Sequence, residues 1–180
     1  MKLTDIIKGT EYDLSLFSDK HIAELENRIV ERKTNGGGKY YLTCLVRKKE
    51  IKLTPEEVVR QLYLLVLIED YGYSTSRMEL EYEVTFGREK KRADIVIFDK
   101  QDTTVPFIIV EVKKPKLKDG KEQLKSYCNA TGAPIGVWSN GKSISYYHRK
   151  DPNYFEDLSS IPRADQKLSD IISERWTIDD

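Results

Sequence analysis

The sequence predicts a mixed α/β fold in which helices flank a mixed β-sheet. A helix that is apolar nearly all round precedes three strands, a second helix follows them, and a hairpin signal then introduces two more strands. The chain has 180 residues, of which 39% are apolar and 33% are charged. That length and composition predict one globular domain with a substantial core.

The N-terminal part of the chain is expected to be helical first and extended afterwards. Residues 19–33 place apolar side chains at helical spacing. The NGGG segment at residues 35–38 predicts a flexible turn. Residues 40–46, rich in Tyr, Leu and Val, predict a strand, and the KEIKLT segment that follows could pair with it.

The segment TPEEVVRQLYLLVLIEDYGY predicts the central core helix. Thr54 is the expected N-cap, Pro55 suits the first helical position, and Glu57 completes a capping box. The helix is expected to run to about Tyr71, and Gly72 should end it. Because its surface is apolar on nearly every side, we expect the rest of the fold to cover it.

Strand patterns account for most of the second half of the chain. The expected strands are residues 78–86, 91–98, 105–113, 135–138 and 143–148. Residues 99–103 form a short polar turn, so the second and third of these strands should be antiparallel neighbours. Residues 121–131 predict a helix, residues 164–175 could form another, and Asn140-Gly141 predicts a hairpin turn.

Charged side chains occur where two of these strands should be buried. Asp94 lies in RADIVIF, and Glu111 and Lys113 lie at the end of FIIVEVKK. Glu111 and Lys113 share one face because successive strand side chains alternate. If the strands pair, Asp94 and Glu111 lie side by side, and such carboxylates repel each other unless a cation lies between them. Burial also costs desolvation energy, which a bound ion would offset.

The pair of carboxylates predicts a magnesium site. Mg²⁺ is typically held by one or two carboxylates together with substrate phosphates, and Mn²⁺ is expected to substitute for it. The ion could activate water for attack on phosphorus and neutralise charge on the scissile phosphate. Lys113 could orient that water or stabilise transition-state charge.

Asp94 followed by Glu111-Val112-Lys113 resembles the PD-(D/E)XK nuclease signature. That superfamily places its Asp on one strand and its (D/E)XK motif on the next, with a helix before and a helix after. Ala93 stands where the motif has Pro, at a position that varies in the superfamily. The resemblance implies a restriction-endonuclease-like fold.

A second set of residues narrows the resemblance. Gln123 and Tyr127 resemble the QxxxY motif that follows the ExK strand in the nuclease domain of type I restriction enzyme R subunits. The segment LTPEEVVRQ resembles the helix that opens this domain, where an acid near the metal is common. We map that acid to Glu57, with Glu56 as the alternate. The resemblance covers roughly residues 40–150.

The resemblance implies a role for each of these residues and for two neighbouring cations. The residues implied to be catalytic are Asp94, Glu111 and Lys113. Those implied to hold Mg²⁺ are Asp94, Glu111, the Val112 carbonyl and Glu57. Those implied to support the site or contact DNA are Gln123, Tyr127, Arg92 and Lys114.

Purely structural roles would also explain several of these residues. Glu111 and Lys113 could be an ion pair at a strand end, and Glu57 could be a capping residue alone. Gln123 and Tyr127 could be ordinary surface and core residues of a helix.

The function that the resemblance implies is a Mg²⁺-dependent endodeoxyribonuclease domain of a type I restriction-modification R subunit. Its partners would be double-stranded DNA and the methyltransferase and specificity subunits. ATP would act only through translocation modules outside these residues. Residues 1–150 are expected to form the nuclease domain, with a core at about 40–150 and an N-terminal helical extension. Residues 151–180 are expected to be a C-terminal extension or linker, truncated from a larger chain.

Residues 136–143 fit the P-loop pattern G-x-x-x-x-G-K-[ST], but their context argues against ATP binding. A P-loop needs a following helix whose N–H groups face the phosphates. Residues 144–148 are β-branched and aromatic and predict a strand instead. We therefore assign no ATP-binding residues.

Composition bounds the partners. The net charge is zero, but residues 86–126 hold eleven Lys or Arg against seven Asp or Glu. Such clustering suits a polyanion, and a solvated surface is the alternative explanation. The longest apolar stretch, residues 62–68, is too short to span a bilayer, and the N-terminus lacks the apolar core of a signal peptide. We expect a cytoplasmic protein with no membrane partner.

Two alternatives to a type I restriction nuclease stay open. One is a stand-alone PD-(D/E)XK nuclease of DNA repair or of a mobile element. The other is a non-catalytic DNA-binding module with this fold, which would show no metal dependence at Asp94 and Glu111. The intact set of Asp94, Glu111 and Lys113 argues against that loss.

Overall fold

The computed structural model describes residues 3–35, 37–113 and 120–172. The helices are α1 (Leu3–Ile7), α2 (Asp19–Glu26), α3 (Pro55–Leu65) and α4 (Gly120–Thr131), with a π-helical turn at Val66–Asp70 and a 3-10 turn at Thr75–Arg77. The strands are β1 (Val30–Thr34), β2 (Gly37–Thr43), β3 (Glu50–Lys52), β4 (Met78–Phe86), β5 (Glu89–Phe98), β6 (Pro106–Val112), β7 (Ile135–Ser139), β8 (Ile144–Asp151) and β9 (Tyr154–Leu158). None of the described helices is long and apolar enough to cross a membrane.

The strands form two sheets, of which the larger is mixed. Its order is β4-β5-β6-β7-β8-β9, with β6 and β7 parallel and all other neighbours antiparallel. Strands β1, β2 and β3 form a separate antiparallel sheet. The predicted fold class, a mixed sheet flanked by helices, is confirmed.

Different helices cover the two faces of the six-stranded sheet. Ile95 and Val110 face the core that α3 shares, whereas Val96 and Ile109 pack with Leu124 of α4. This division follows from the alternation of strand side chains. Residues 93–98 of β5 and 108–112 of β6 are covered on both sides, so a charged side chain in these two stretches is buried, whereas residues 89–92 of β5 are exposed.

The capped core helix expected from the sequence is confirmed. The Thr54 hydroxyl accepts the backbone N–H of Glu57 at 3.2 Å, and α3 begins at Pro55. Every side chain from residue 58 to residue 65 is buried. A π-helical turn continues the helix, and Gly72, with φ of 77°, ends it.

The helix expected over residues 19–33 is wrong in its second half. Helix α2 ends at Glu26, and the chain then forms β1. Strand β1 pairs antiparallel with β2, so that Val30 lies opposite Tyr41 and Thr34 lies opposite Gly37. The turn near residue 35 reverses the chain, so the backbone of residues 30–34 forms hydrogen bonds with β2 across a hairpin. Those long-range hydrogen bonds override the helical spacing.

The hairpin predicted around Asn140-Gly141 is confirmed. Ser139 pairs with Ile144, and the Asn140 side-chain oxygen accepts the backbone N–H groups of Lys142 and Ser143. A strand rather than a helix therefore follows the P-loop-like residues.

The larger sheet continues beyond residue 150. Strand β9 pairs with β8, Leu158 is buried, and the Tyr73 hydroxyl donates to the Pro162 carbonyl at 2.6 Å. The division into residues 1–150 and 151–180 concerns domain organisation and stays a prediction. Residues 168–172 are helical, and the rest of the helix proposed to reach residue 175 lies outside the described residues.

Candidate active site

The pairing of β5 with β6 brings Asp94 and Glu111 together. Ile95 pairs with Val110, so the two acids occupy the next position along both strands. The backbone N–H of Asp94 donates to Glu111 Oε1 at 3.0 Å. The backbone N–H of Val112 donates in return to Asp94 Oδ2 at 2.6 Å. Each carboxylate is therefore oriented by the backbone of the opposite strand.

Both carboxylates are buried, and burial changes their acidity. Glu111 is 0% exposed and Asp94 is 6% exposed. Burial raises the pKa of Asp94 to about 6, against the lowering effect of the Val112 N–H and of nearby cations. Burial and then the charge of Asp94 raise the pKa of Glu111 to about 7. The two groups titrate as a coupled pair close to neutral pH.

Lys113 stands directly beside this pair. Its Nζ lies 3.0 Å from Glu111 Oε2, as expected for two side chains on one strand face. Its backbone N–H donates to the Ser139 carbonyl on β7 at 2.9 Å, which holds the residue just past the end of β6. Burial lowers the pKa of Lys113, but the charges of Glu111 and Asp94 outweigh burial and raise it. Lys113 is therefore a cation at neutral pH.

A buried arginine of α3 completes the electrostatics of the site. Arg60 is 4% exposed, and its Nη2 lies 3.8 Å from Asp94 Oδ1. Its guanidinium also pairs with three more carboxylates, those of Glu56 at 3.5 Å, Glu57 at 3.2 Å and Glu81 at 3.4 Å. Sequence reasoning missed Arg60, although a lone Arg inside the apolar run of the core helix is a readable signal for a buried ionic partner.

The two glutamates that open α3 have different surroundings. Both oxygens of Glu57 are engaged, one by Arg60 and one by the Gln61 amide at 3.3 Å. Glu56 acts on the site instead: burial is the main cause of the raised pKa of Asp94, and the charge of Glu56 adds to it. The alternate residue, Glu56, is thus an upstream acid whose charge acts on Asp94.

Helix α4 brings Tyr127 to the other side of the pair. Tyr127 is buried, its ring lies 5.5 Å from that of Phe86, and its hydroxyl donates to the Arg92 carbonyl at 3.5 Å. Burial raises the pKa of Tyr127, and the charges of Glu111 and Asp94 raise it further. Gln123, one turn earlier on α4, is half-buried.

Of the two cations expected to contact phosphate, Arg92 lies within the described residues and is exposed. The Arg92 side chain is 71% exposed, and its Nη1 lies 3.8 Å from Glu81 Oε2. Exposed basic residues precede it at Arg88, Lys90 and Lys91. Lys114 lies outside the described residues.

A comparison with known protein families shows which family contains the residues that form this site. Residues 55–162 match the family described as Type I restriction enzyme R protein N terminus (HSDR_N). The match covers more than half of the chain. The chain belongs to this family. The recognition of a restriction-endonuclease-like nuclease domain is thereby confirmed.

Comparisons beyond the R-protein N-terminal family were less informative. A candidate nuclease belonging to DUF820 from Anabaena variabilis ATCC 29413 has a similar crystal structure, with 15% sequence identity and a TM-score of 0.43. The similarity covers 79% of this chain and 87% of that one. A comparison with curated proteins gave no match.

The donor groups of this R-protein N-terminal domain fit a hard divalent cation. The groups at the pair are carboxylate oxygens, and Glu111 Oε2 is buried without a well-directed hydrogen bond from the described residues. Apart from Lys113, no cation among the described residues lies within ion-pair distance of that oxygen. An oxygen in such surroundings suits Mg²⁺ or Mn²⁺.

Proposed function

We propose that this R-protein N-terminal domain is a Mg²⁺-dependent endonuclease that hydrolyses phosphodiester bonds of duplex DNA for a type I restriction-modification R subunit. The observation that carries the proposal is the joined pair of buried carboxylates, Asp94 and Glu111, with the Lys113 ammonium 3.0 Å from Glu111. Two buried acids with pKa values near neutrality make poor structural elements but suitable ligands for a divalent ion.

The side chains of this site divide the work between holding an ion and balancing charge. Asp94, Glu111 and the Val112 carbonyl would hold Mg²⁺, and Glu56 is now the preferred upstream acid over Glu57. When bound, the ion supplies Lewis-acid chemistry, lowering the pKa of water and offsetting charge on the phosphate. Binding favours the ionised form of both acids, so it releases protons.

Lys113 would act on the substrate as a charge rather than as a base. Because its pKa is raised, it carries a proton at neutral pH and cannot take one from water. The Lys113 side chain is 23% exposed, so it could contact a phosphate while remaining beside Glu111. There it would stabilise the negative charge that develops on the phosphate oxygens in the transition state.

DNA would be held through its backbone, not read by sequence. Arg92 and Lys114 would contact phosphates, and Gln123 and Tyr127 would support the site. Recognition would come from the methyltransferase and specificity subunits, with double-stranded DNA as the substrate in the cytoplasm. ATP would act through motor modules elsewhere in the R subunit.

The first test is calorimetric binding of Mn²⁺, with and without a short duplex, to the wild type and to Asp94→Asn and Glu111→Gln. We expect both variants to lose binding, while Glu79→Gln, an acid-to-amide change at an exposed position of β4, retains it. In the complete restriction enzyme, the two site variants and Lys113→Ala should lose DNA cleavage. Absence of Mn²⁺ binding by the wild type with DNA present would instead favour a non-catalytic DNA-binding module.

A further inference from the structure

A second group of ionisable side chains lies where α2 meets the π-helical turn after α3. His21 and Glu24 belong to α2, and Glu69 and Asp70 belong to the π-helical turn. One potential ligand atom from each of His21, Glu24 and Glu69 lies within 4.8 Å of the others. The group shares no residue with the site at Asp94 and Glu111.

The ring of His21 is held so that its Nδ1 faces into this group without a well-directed hydrogen bond. His21 is 4% exposed, and its Nε2 lies 3.2 Å from both carboxylate oxygens of Asp70. In the tautomer that donates its Nε2 proton to Asp70, Nδ1 presents a lone pair. Nδ1 is buried, has no hydrogen bond from the described residues, and lies 3.1 Å from Glu69 Oε2. A lone pair against a carboxylate oxygen needs a proton or a metal cation between them.

The two glutamates also face each other. A side-chain hydrogen bond joins Glu24 to Glu69, so one carboxylate oxygen of each lies close to the other and to the His21 ring. Glu24 Oε1 has a further contact with Arg28 at 3.3 Å, but that arginine side chain is 45% exposed and free to move aside. A divalent cation between the two carboxylates would also satisfy His21 Nδ1.

We propose that His21 Nδ1, Glu24 and Glu69 bind a Zn²⁺ ion, with Asp70 orienting the imidazole from behind. One imidazole and two carboxylates form a ligand set that Zn²⁺ favours, whereas Mg²⁺ prefers oxygen alone. Ligand atoms of a tetrahedral Zn²⁺ are about 3.4 Å apart, close to the 3.1 Å between His21 Nδ1 and Glu69 Oε2. The carboxylate–histidine pair of Asp70 and His21 is the arrangement that fixes the tautomer of a metal-binding histidine.

The ion would connect two elements that are distant in sequence. It would join α2, in the part of the chain before the family match, to the end of the core helix that positions Arg60. Because such a site forms only in the folded chain, Zn²⁺ would stabilise the docking of α2 onto the domain. With three protein ligands, a water would complete the tetrahedron. The proposed role of the ion is to join these two elements, which needs neither DNA nor turnover.

The test uses the full chain carrying Asp94→Asn and Glu111→Gln, so that the magnesium site contributes no binding. After treatment with a chelator, this protein should bind one equivalent of Zn²⁺ by calorimetry, and its unfolding temperature should rise with Zn²⁺ but not with Mg²⁺. Adding Glu24→Gln or Glu69→Gln should weaken Zn²⁺ binding at least tenfold. Glu26→Gln, an acid-to-amide change on the same helix, should leave Zn²⁺ binding unchanged.

Two results would overturn the zinc proposal. One is no Zn²⁺ binding by the folded background protein, since the group would then be held by protons alone. The other is that the Glu24→Gln and Glu69→Gln proteins bind Zn²⁺ as tightly as the background protein does, while X-ray absorption shows no imidazole ligand on the ion. Both glutamates are partly exposed, so the amide variants should fold, and circular dichroism verifies this. Neither result bears on the nuclease function, which is tested at Asp94 and Glu111.

Discussion

At the scale of single residues, the cost of burying Asp94 and Glu111 explains much of how this site should respond to pH. Their pKa values, about 6 and about 7, lie above the values of about 3.9 and about 4.3 expected for exposed Asp and Glu. Between the unfolded and folded values, the folded chain keeps protons that the unfolded chain has released. The free energy of unfolding therefore falls as pH rises through that window.

We predict that the metal-free domain loses stability between about pH 4 and about pH 7 because of this pair. The raised pKa of each carboxyl group corresponds to a loss of on the order of 3 kcal/mol in the free energy of unfolding once that group is fully ionised. Because the two groups interact, their ionisation is spread over this pH window. Urea unfolding in the presence of a chelator measures the loss. The double variant Asp94→Asn/Glu111→Gln should flatten the pH dependence, and the exposed pair Glu79→Gln/Glu83→Gln should not. Identical pH dependence in wild type and the Asp94/Glu111 double variant would contradict the prediction.

The same residues show how far local sequence can be used. The alternation of β5 and β6 and the polar turn between them were enough to predict that Asp94 and Glu111 are neighbours. They could not show which acids surround Arg60, because its partners come from three elements, two acids of α3, one of β4 and Asp94 of β5. Which of Glu56 and Glu57 faces the metal site likewise depends on the rotation of α3 about its axis. The spacing of residues in the sequence does not define that rotation.

At the scale of elements, helix α3 carries an ionic cluster on an otherwise apolar surface. We predict that Arg60→Met lowers the free energy of unfolding by about 3 kcal/mol, because it leaves Asp94 and neighbouring acids without their buried cation. Arg163→Met removes only an exposed ion pair with Asp165 and should cost less than about 1 kcal/mol. Urea titrations of both variants measure the difference.

The Arg60 variant also separates stability from metal binding. Arg60 and a divalent ion compete for the negative charge of Asp94, so Arg60→Met should bind Mn²⁺ at least as tightly as the wild type. Weaker Mn²⁺ binding by a folded Arg60→Met protein would show that the arginine orients Asp94 and does not compete at this site.

The start of α4 lies against Lys113, the proposed catalytic lysine. A Cβ added at Gly120 would clash with Trp138 Nε1 and lie 2.9 Å from Lys113 Cγ, whereas one at Gly136 would meet Cys128 Sγ at 3.0 Å. Both changes overpack the contact between α4 and β7, at a cost of about 1–3 kcal/mol. We predict that Gly120→Ala also lowers the cleavage rate of the complete enzyme at least tenfold by displacing Lys113, and that Gly136→Ala does not. Each variant should be assayed at a temperature equally far below its own unfolding midpoint. Equal cleavage rates in the two variants under those conditions would contradict the prediction.

Some elements escaped prediction because their stability is not local. Strand β1 was expected as helix, and its pairing with β2 across a hairpin decided otherwise. Strand β9 was not expected, because its burial alternates poorly and only its pairing with β8 defines it. The core helix and strands β4 to β8 were predicted well, since capping, periodicity and turn chemistry agree there.

At the scale of the whole molecule, a net charge of zero hides an uneven distribution. The β4–β5 hairpin ends in exposed Arg88, Lys90, Lys91 and Arg92, and the last of these lies two residues before Asp94 on β5. A duplex whose phosphate enters the site would pass this hairpin. Attraction to phosphates is independent of base sequence and releases counterions, so it should be strongly dependent on salt.

We predict that Lys91→Gln/Arg92→Gln weakens binding of the metal-loaded domain to duplex DNA by a similar factor for unrelated sequences. Each lost phosphate contact removes about 0.9 from the slope of log K against log salt, so the slope should decrease in magnitude by about 1 to 2. Fluorescence anisotropy over a salt series measures both quantities. Lys49→Gln/Lys52→Gln makes the same change of charge near β3, in the other sheet, and should leave the slope unaltered. Equal slopes in the two double variants would mean that DNA approaches Asp94 and Glu111 by a path that avoids the β4–β5 hairpin.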